Sequence, residues 1–369
     1  MADIRPFRIA VPDEELVDLR DRLSRTRWPD RECVTDWSQG IPLDYVRELA
    51  AYWAEVYDWR AREARLNAFD QFVTEIDGVD IHFIHQRSPN PDASPLLISH
   101  GWPGSIVEFA KVIGPLSRDF HVVCPTLPGF GFSGKPTAAG WTVERIALAW
   151  DSLMKRLGYD RYGAQGGDWG AAVTTQIGRN GSSGLAGCAA IHINMPIAAP
   201  VGPLSDPSPD EREALAARDH YQRWEAGYSK QQATRPQTLG YGLADSPVGQ
   251  LAWIVEKLYA WSDCDGHPEN IFSRDEMLDD VMLYWATNSG ASSARLYWES
   301  FGAFTAGGKV EVPTGVARFP KEIIKAPRSW CEAAYNVTHW TDMPRGGHFA
   351  AFEQPELFIE DVRAFFASV

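Results

Sequence analysis

The residue with the most distinctive chemistry is Asp168, which lies within Gly-Gly-Asp-Trp-Gly at residues 166–170. Residues 161–165 are predicted to form a short strand, and the small and branched residues after Trp169 favour a helix that begins at once. The glycines leave room for a strained turn between the two. An aspartate there is ionised at neutral pH and can attack a saturated carbon directly, forming an alkyl ester with the protein. Its natural electrophiles are epoxides and alkyl halides.

A second motif is His-Gly-Trp-Pro-Gly-Ser at residues 100–105, which follows an apolar run and so ends another buried strand. A loop of this kind can supply a backbone N–H, most simply that of Trp102, and the N–H of Trp169 after the nucleophile would supply a second. Together they would form an oxyanion hole for the carbonyl oxygen of Asp168 when water attacks the ester. His100 is predicted to shape the loop and not to act as a base.

A third motif, Arg-Gly-Gly-His-Phe-Ala-Ala-Phe-Glu at residues 345–353, offers His348 as the general base. The acid that orients this histidine should precede it, at the end of a strand. Glu322 is preferred because it follows the strand-like segment 312–319. Asp342 is a rival but lies only a few residues before the histidine, and Glu311 stands at the wrong end of the strand.

The order of nucleophile, acid and histidine along the chain is that of the α/β-hydrolase fold, with a mostly parallel central sheet. Periodicity supports this prediction. A hairpin is predicted at 72–76 and 79–85, and parallel strands at 95–99, 121–125, 161–165 and 187–193. The helices predicted by spacing are 14–25, 43–53, 107–116, 143–157, 210–226, 251–261 and 277–289.

Four regions are predicted along the chain. Residues 1–70 form an N-terminal helical extension that wraps the core, and residues 71–195 form the first part of the core. Residues 196–308 form a helical cap, which begins with a proline-rich linker. Residues 309–369 complete the core.

With these motifs in place, the chain resembles the microsomal-type epoxide hydrolase family, which includes insect juvenile-hormone epoxide hydrolases and bacterial relatives. The resemblance covers nearly the whole sequence. The segments that carry it, besides the three motifs, are 5–7, 11–16, 26–29, 58–60, 245–249, 297–302 and Phe-Pro-Lys-Glu at 319–322. The last of these resembles the segment with the family's acid, which agrees with the choice of Glu322.

The resemblance also implies two cap tyrosines, Tyr228 and Tyr297, that donate hydrogen bonds to the epoxide oxygen. An opening epoxide develops alkoxide charge and is a poor leaving group unless an acid donates to it. Together with Trp102 and Trp169, these phenols would also line the substrate site. Tyrosine and tryptophan occur 12 and 15 times, so without the resemblance either phenol could equally serve in packing.

The implied reaction converts an epoxide to a vicinal diol through a hydroxyalkyl ester of Asp168, with no cofactor. Two alternatives remain open. A haloalkane dehalogenase would use the same Asp, His and acid, with the indole of Trp169 binding halide. A non-catalytic receptor on the same fold would bind a small molecule reversibly. A requirement for Tyr228 would distinguish ring opening from dehalogenation.

Composition limits the partners. The net charge of −14 without a basic block argues against nucleic acid and anionic membranes. Five scattered cysteines without metal-ligand spacing indicate reduced thiols and no metal site. The charged start of the chain and the lack of long apolar runs favour a cytoplasmic protein, unlike the family's membrane-anchored members. The expected substrate is a small apolar or aromatic epoxide, and a homodimer is expected only by analogy.

Overall fold

The computed structural model describes residues 3–304 and 307–369, and a nine-stranded sheet lies at the centre of this part of the chain. The strands β1 to β9 are Arg5–Phe7, Gln71–Ile76, Val79–Gln86, Ser94–Ser99, Phe120–Pro125, Tyr162–Gly166, Cys188–Ile193, Val310–Arg318 and Tyr335–Asp342. Their spatial order is β1-β2-β3-β5-β4-β6-β7-β8-β9. β1, β2 and β3 pair antiparallel, β3 joins β5 antiparallel, and all later pairs are parallel.

The parallel strands end at a common edge of the sheet. Ser99 at the end of β4 pairs with Gly166 of β6, and Gly166 pairs with Ile193 of β7. Ile193 in turn pairs with Val316 of β8. The loops that follow these strands therefore emerge side by side, which is where an open α/β sheet places its site.

Helices α1 to α15 surround this sheet. Their bounds are Asp13–Ser24, Leu43–Glu55, Trp59–Leu66, Ile113–Leu116, Val143–Arg156, Asp168–Ser182, Pro209–His220, Gly227–Thr234, Pro236–Asp245, Pro247–Trp261, Arg274–Ala286, Gly290–Ser300, Arg328–Ala334, Ala350–Glu353 and Pro355–Phe366. Ile191 of β7 packs against α6 at Gly178, whereas the next residue, His192, packs against Phe365 of α15. Successive strand residues point to opposite faces, so α6 and α15 cover the two sides of the sheet.

The segment between β7 and β8 contains α7 to α12, which pack mainly on one another. The N-terminal helices α1 and α2 contact α10 of this segment, and α2 also contacts α11. Asp279 of α11 accepts hydrogen bonds from Tyr57 Oη at 2.9 Å and from Arg62 Nε at 2.8 Å. The N-terminal helices thus pack against the helices between β7 and β8, which are hereafter called the cap helices.

Several local features differ from the sequence prediction. The strand β1 was not predicted. It is a three-residue edge strand, in which Pro6 is tolerated because a residue at the sheet edge need not donate a backbone hydrogen bond to a second neighbouring strand. The continuous helix predicted at 107–116 is wrong, because a 3₁₀ turn at Ile106–Phe109 precedes the short helix α4. Pro115 has no N–H to donate to the carbonyl of Lys111, so a helix that ran through both residues would lack this hydrogen bond. The helix predicted at 210–226 ends at His220, and Tyr221–Glu225 forms a π-helical turn.

Candidate active site

Asp168 lies on the tight turn between β6 and α6, with its backbone in the left-handed region at φ 51°. The glycines on either side are required by close approach: a Cβ on Gly166 would overlap the Gly170 carbonyl, and one on Gly170 would overlap the carbonyl of Ser99. A non-glycine residue with positive φ is strained and persists only when its surroundings fix it. The turn therefore places the Asp168 carboxylate, 8% exposed, at the edge where the strands end.

The loop after β4 contacts this carboxylate directly. The backbone N–H of Trp102 donates to Oδ1 of Asp168 at 2.8 Å. His100 Nε2 accepts from the N–H of Leu127 at 3.1 Å, and burial lowers the pKa of His100 to about 4. A neutral His100 holding the backbone agrees with the shaping role predicted for it. Trp169 is the second residue of α6, in the first turn, where backbone N–H groups point out of the helix.

His348 and Glu322 lie next to the nucleophile, all three within a buried cluster. His348 Nδ1 is 2.7 Å from Oε1 of Glu322, and His348 Nε2 is 3.3 Å from Oδ2 of Asp168. Burial opposes protonation of His348, but the charge of Glu322 and the hydrogen bond with Asp168 together raise its pKa well above the usual range. The two carboxylates thus hold the imidazole in a fixed orientation between them.

The rival carboxylates lie elsewhere. Asp342 is the last residue of β9 and pairs with Arg318 Nε at 2.5 Å. Glu311 is exposed near the start of β8. Of the three acids weighed from the sequence, the structure brings only Glu322 to His348.

The histidine loop is held by a residue that sequence reasoning missed. The carboxyl group of Glu353 accepts from the N–H groups of Gly347 and Phe349, both at 2.9 Å. The His348 N–H itself donates to the carbonyl of Trp261, at the end of α10, at 2.9 Å. Burial raises the pKa of Glu353 to about 7. The only sequence signal was the position of this glutamate at the end of the 345–353 motif.

Across from Asp168 lies a cavity of about 350 Å³ whose far wall belongs to the cap helices. Tyr228 of α8 and Tyr297 of α12 both line it, and both are at least nine-tenths buried. The Tyr228 ring stacks on Trp102 with centroids 5.0 Å apart, and the Tyr297 ring meets Trp169 edge-on at 4.8 Å. Of the four aromatic residues predicted for the substrate site, Trp169, Tyr228 and Tyr297 thus line the cavity, whereas Trp102 packs against Tyr228 without lining it.

A third tyrosine, Tyr221, also lines this cavity and was missed from the sequence. Its hydroxyl lies 2.8 Å from that of Tyr228. It begins the π-helical turn between α7 and α8, a geometry often found at functional sites. Burial raises the pKa of Tyr228 and of Tyr297 well above the usual value, so both phenols stay protonated as donors.

The rest of the cavity wall is largely apolar, with basic side chains among its lining residues. The apolar members are Met195, Ile197, Ala198, Ala199, Ala214, Phe301, Ile323, Ile324, Ala326 and Trp330, and the basic members are Arg218, Lys230 and Lys325. Three other aromatic residues of the segment between β7 and β8, Trp224, Tyr241 and Trp298, are more than half exposed. An apolar wall of this size suits a small, mostly hydrocarbon ligand.

Comparisons with known proteins agree with this arrangement. The family described as "Epoxide hydrolase N terminus" matches residues 4–109, and "alpha/beta hydrolase fold" matches residues 94–228. A protein of Stigmatella aurantiaca that carries a provisional epoxide hydrolase name is 52% identical, over 98% of this chain and 84% of that protein. Epoxide hydrolase 1 of Oryctolagus cuniculus is 37% identical over 98% of this chain and 88% of its own. The chain belongs to the epoxide hydrolase family.

Solved structures agree with this family membership. The crystal structure of juvenile hormone epoxide hydrolase from the silkworm Bombyx mori superposes with a TM-score of 0.91 at 31% identity, covering 100% of this chain and 95% of that one. The resemblance to this hydrolytic family and the α/β-hydrolase fold predicted from the motifs are thereby confirmed.

Within residues 3–304 and 307–369, no group of three or more His, Cys, Asp or Glu side chains is arranged to hold a metal ion. In the same part of the chain, no helix has the length and apolar character needed to cross a bilayer.

Proposed function

We propose that this protein hydrolyses an epoxide to a vicinal diol through a covalent hydroxyalkyl ester of Asp168. One observation carries the proposal. The Asp168 carboxylate lies between the Trp102 N–H and His348 and lines a cavity that protonated phenols also line. A nucleophile and a pair of acids on either side of an apolar space are what ring opening requires.

In the first step, the epoxide binds with its oxygen towards Tyr228 and Tyr297. Because Oδ1 of Asp168 accepts from Trp102, Oδ2 is the oxygen that attacks the ring carbon. The ring C–O bond breaks, and its electron pair stays on the epoxide oxygen. The phenols donate to this oxygen as the charge develops, which makes it an acceptable leaving group.

In the second step, His348 removes a proton from a water molecule that attacks Cγ of the ester. The carbonyl oxygen of Asp168 becomes a tetrahedral oxyanion, which the Trp102 N–H, and that of Trp169, stabilise. The ester C–O bond then breaks, and the leaving oxygen takes the proton held by His348. The second proton of the water, left on the new carboxyl group, replaces the one that the phenols gave to the epoxide oxygen, so the diol leaves and Asp168 returns to the carboxylate. Glu322 fixes the imidazole and stabilises its protonated form. No cofactor takes part.

The phenol-lined wall favours an epoxide over a haloalkane. A departing halide needs N–H donors and gains nothing from a protonating group, whereas an alkoxide needs an acid. The apolar lining supports a small apolar or aromatic epoxide as the substrate class. Styrene oxide is a suitable probe.

The test is a single turnover of styrene oxide by excess protein in ¹⁸O-labelled water, with Asp168→Ala alongside. We expect unlabelled diol from the unmodified protein, because the incoming oxygen comes from Asp168, and no diol from the variant. Labelled diol in the first turnover would exclude the ester route. Absence of diol with several epoxides, together with halide release from a haloalkane, would favour dehalogenation instead.

A further inference from the structure

A second, much smaller cavity lies against the same nucleophile. Its volume is about 20 Å³, and its lining includes Asp168, His348, Glu108 and Asn194. A polar space of this size accommodates a single water molecule. It shares Asp168 with the large cavity but none of the cap tyrosines lines it.

Glu108 carries the one carboxyl group of this lining that the proposed mechanism does not use. It lies in the 3₁₀ turn Ile106–Phe109, whose N-cap is Ser105. Its carboxyl group packs directly over Gly104, where any Cβ would overlap Oε1. The glycine after Pro103 therefore makes room for this carboxyl group, which a larger residue would displace.

The surroundings keep Glu108 in an unusual state for a glutamate. Burial, reinforced by the charge of Asp280, raises its pKa well above the ordinary value. Asp280 is 1% exposed and is held by a 2.6 Å hydrogen bond from Ser105 Oγ. A neutral Glu108 carboxyl group can accept a hydrogen bond without adding a negative charge beside the Asp168 ester.

We propose that the small cavity holds the water that hydrolyses the Asp168 ester, and that Glu108 positions this water. The inference rests on the proposed function. A water needs two to four polar partners to be held in place. His348 would accept one O–H, Glu108 the other, and the amide of Asn194, whose Oδ1 accepts from Gln165 at 3.0 Å, would complete the set. The proton still passes to His348, and Glu108 exchanges none.

This geometry also explains why the attacking water does not compete with the epoxide. The substrate fills the cavity lined by Tyr228 and Tyr297, while the water occupies a separate space beside the same carboxylate. Both reactants can then be bound before the ester forms, and the second step needs no exchange of ligands through the cap.

The experiment measures the two steps separately by rapid quenching and intact-protein mass spectrometry, with styrene oxide as the probe. We expect Glu108→Met, whose side chain is of similar length but has no oxygen acceptor, to form the ester within about threefold of the normal rate. Its hydrolysis should slow about tenfold, the effect of one lost hydrogen bond. The covalent adduct should accumulate to most of the protein during turnover.

Gly104→Ala provides an independent perturbation, because the new methyl group displaces the Glu108 carboxyl without changing its chemistry. It should slow ester hydrolysis in the same way, which also keeps the test informative if Glu108→Met fails to fold. Asp342→Asn is the control. This carboxylate lies at the end of β9, pairs with Arg318 and lines neither cavity, so ester hydrolysis should stay within about threefold of normal.

The outcomes separate the two proposals. If the unmodified protein forms no ester, the proposed function fails. If it forms the ester and Glu108→Met hydrolyses it at the normal rate, only the role of Glu108 is overturned. Equal losses in both steps would also overturn it, because they would show a merely structural effect.

Discussion

The two walls of the cavity are built differently. The core wall carries charged groups at the edge of the sheet. There His348 lies 2.7 Å from Glu322 on one side and 3.3 Å from Asp168 on the other. The cap wall carries neutral phenols on helices, and Tyr221 and Tyr228 bond to each other. Under the proposed mechanism, the carboxylates and the imidazole thus lie on the side that makes and hydrolyses the ester, and the phenols lie on the side that opens the ring.

This division predicts that damage to each wall blocks a different step. A core residue used only in ester hydrolysis should allow the ester to form and then trap it. A cap phenol should slow ester formation and leave hydrolysis of an existing ester nearly unchanged. Measuring the two steps separately therefore tests the comparison itself.

The largest effect is expected for His348→Gln, which removes the base from the core wall. Ester formation should continue, while its hydrolysis should fall by roughly two to four orders of magnitude, the usual value of general base catalysis. Mass spectrometry of the protein after one equivalent of styrene oxide would show a stable adduct. Asp342→Asn, which changes the rejected rival acid, is the control and should turn over normally. A His348→Gln protein without adduct would contradict the division of labour.

The next effect is expected at the cap wall. Tyr228→Phe and Tyr297→Phe should each slow ester formation roughly tenfold to a hundredfold, less than the full value of general acid catalysis because one phenol remains. The double variant should lose much more than either alone. Rapid-quench measurement of ester formation checks this. If either substitution slowed ester hydrolysis instead, the phenol would belong to the second step.

The pH dependence offers a third test, because ester formation removes the charge of Asp168. In the resting protein both Glu322 and Asp168 raise the pKa of His348, so the ester should have a histidine with a lower pKa. Only neutral His348 accepts a proton. Hydrolysis of the ester should therefore fall about tenfold per pH unit below the pKa of His348 in the ester, and level off above it.

Ester formation needs no base, so it should not follow this profile. Glu322→Gln should move the midpoint for ester hydrolysis to lower pH, since it removes a charge that stabilises the imidazolium. The two rates would be measured from pH 5 to 9 in separate quench experiments. Identical profiles for both steps would argue that His348 acts in ring opening as well.

The core wall could be predicted from sequence because each of its parts is local. Asp168 sits between glycines at a strand-to-helix junction, and His348 lies in a glycine-flanked loop after the last strand. Chain order alone left Glu322, Asp342 and Glu311 as candidates for the acid. Only the pairing of β8 with β9 shows that Asp342 lies opposite Arg318 and forms an ion pair with it.

The cap wall was less accessible to sequence reasoning because its residues meet only through tertiary packing. Tyr228 and Tyr297 are far apart in the chain and look like ordinary packing aromatics, so the resemblance had to supply them. Tyr221 had no signal of its own. Its segment was predicted as continuous α-helix, and the π-helical turn that aligns it with Tyr228 has no simple sequence pattern.

The smallest effect is expected for this third tyrosine. Tyr221 lines the cavity, and its hydroxyl bonds that of Tyr228 at 2.8 Å, so it orients a donor that still has Tyr297 beside it. Tyr221→Phe should slow ester formation about threefold to tenfold, the value of one neutral hydrogen bond. In a Tyr228→Phe background the same change should have almost no further effect, because the group it orients is already gone. Additive losses in the double variant would instead show that Tyr221 donates to the epoxide itself, and the cap wall would then supply three acids.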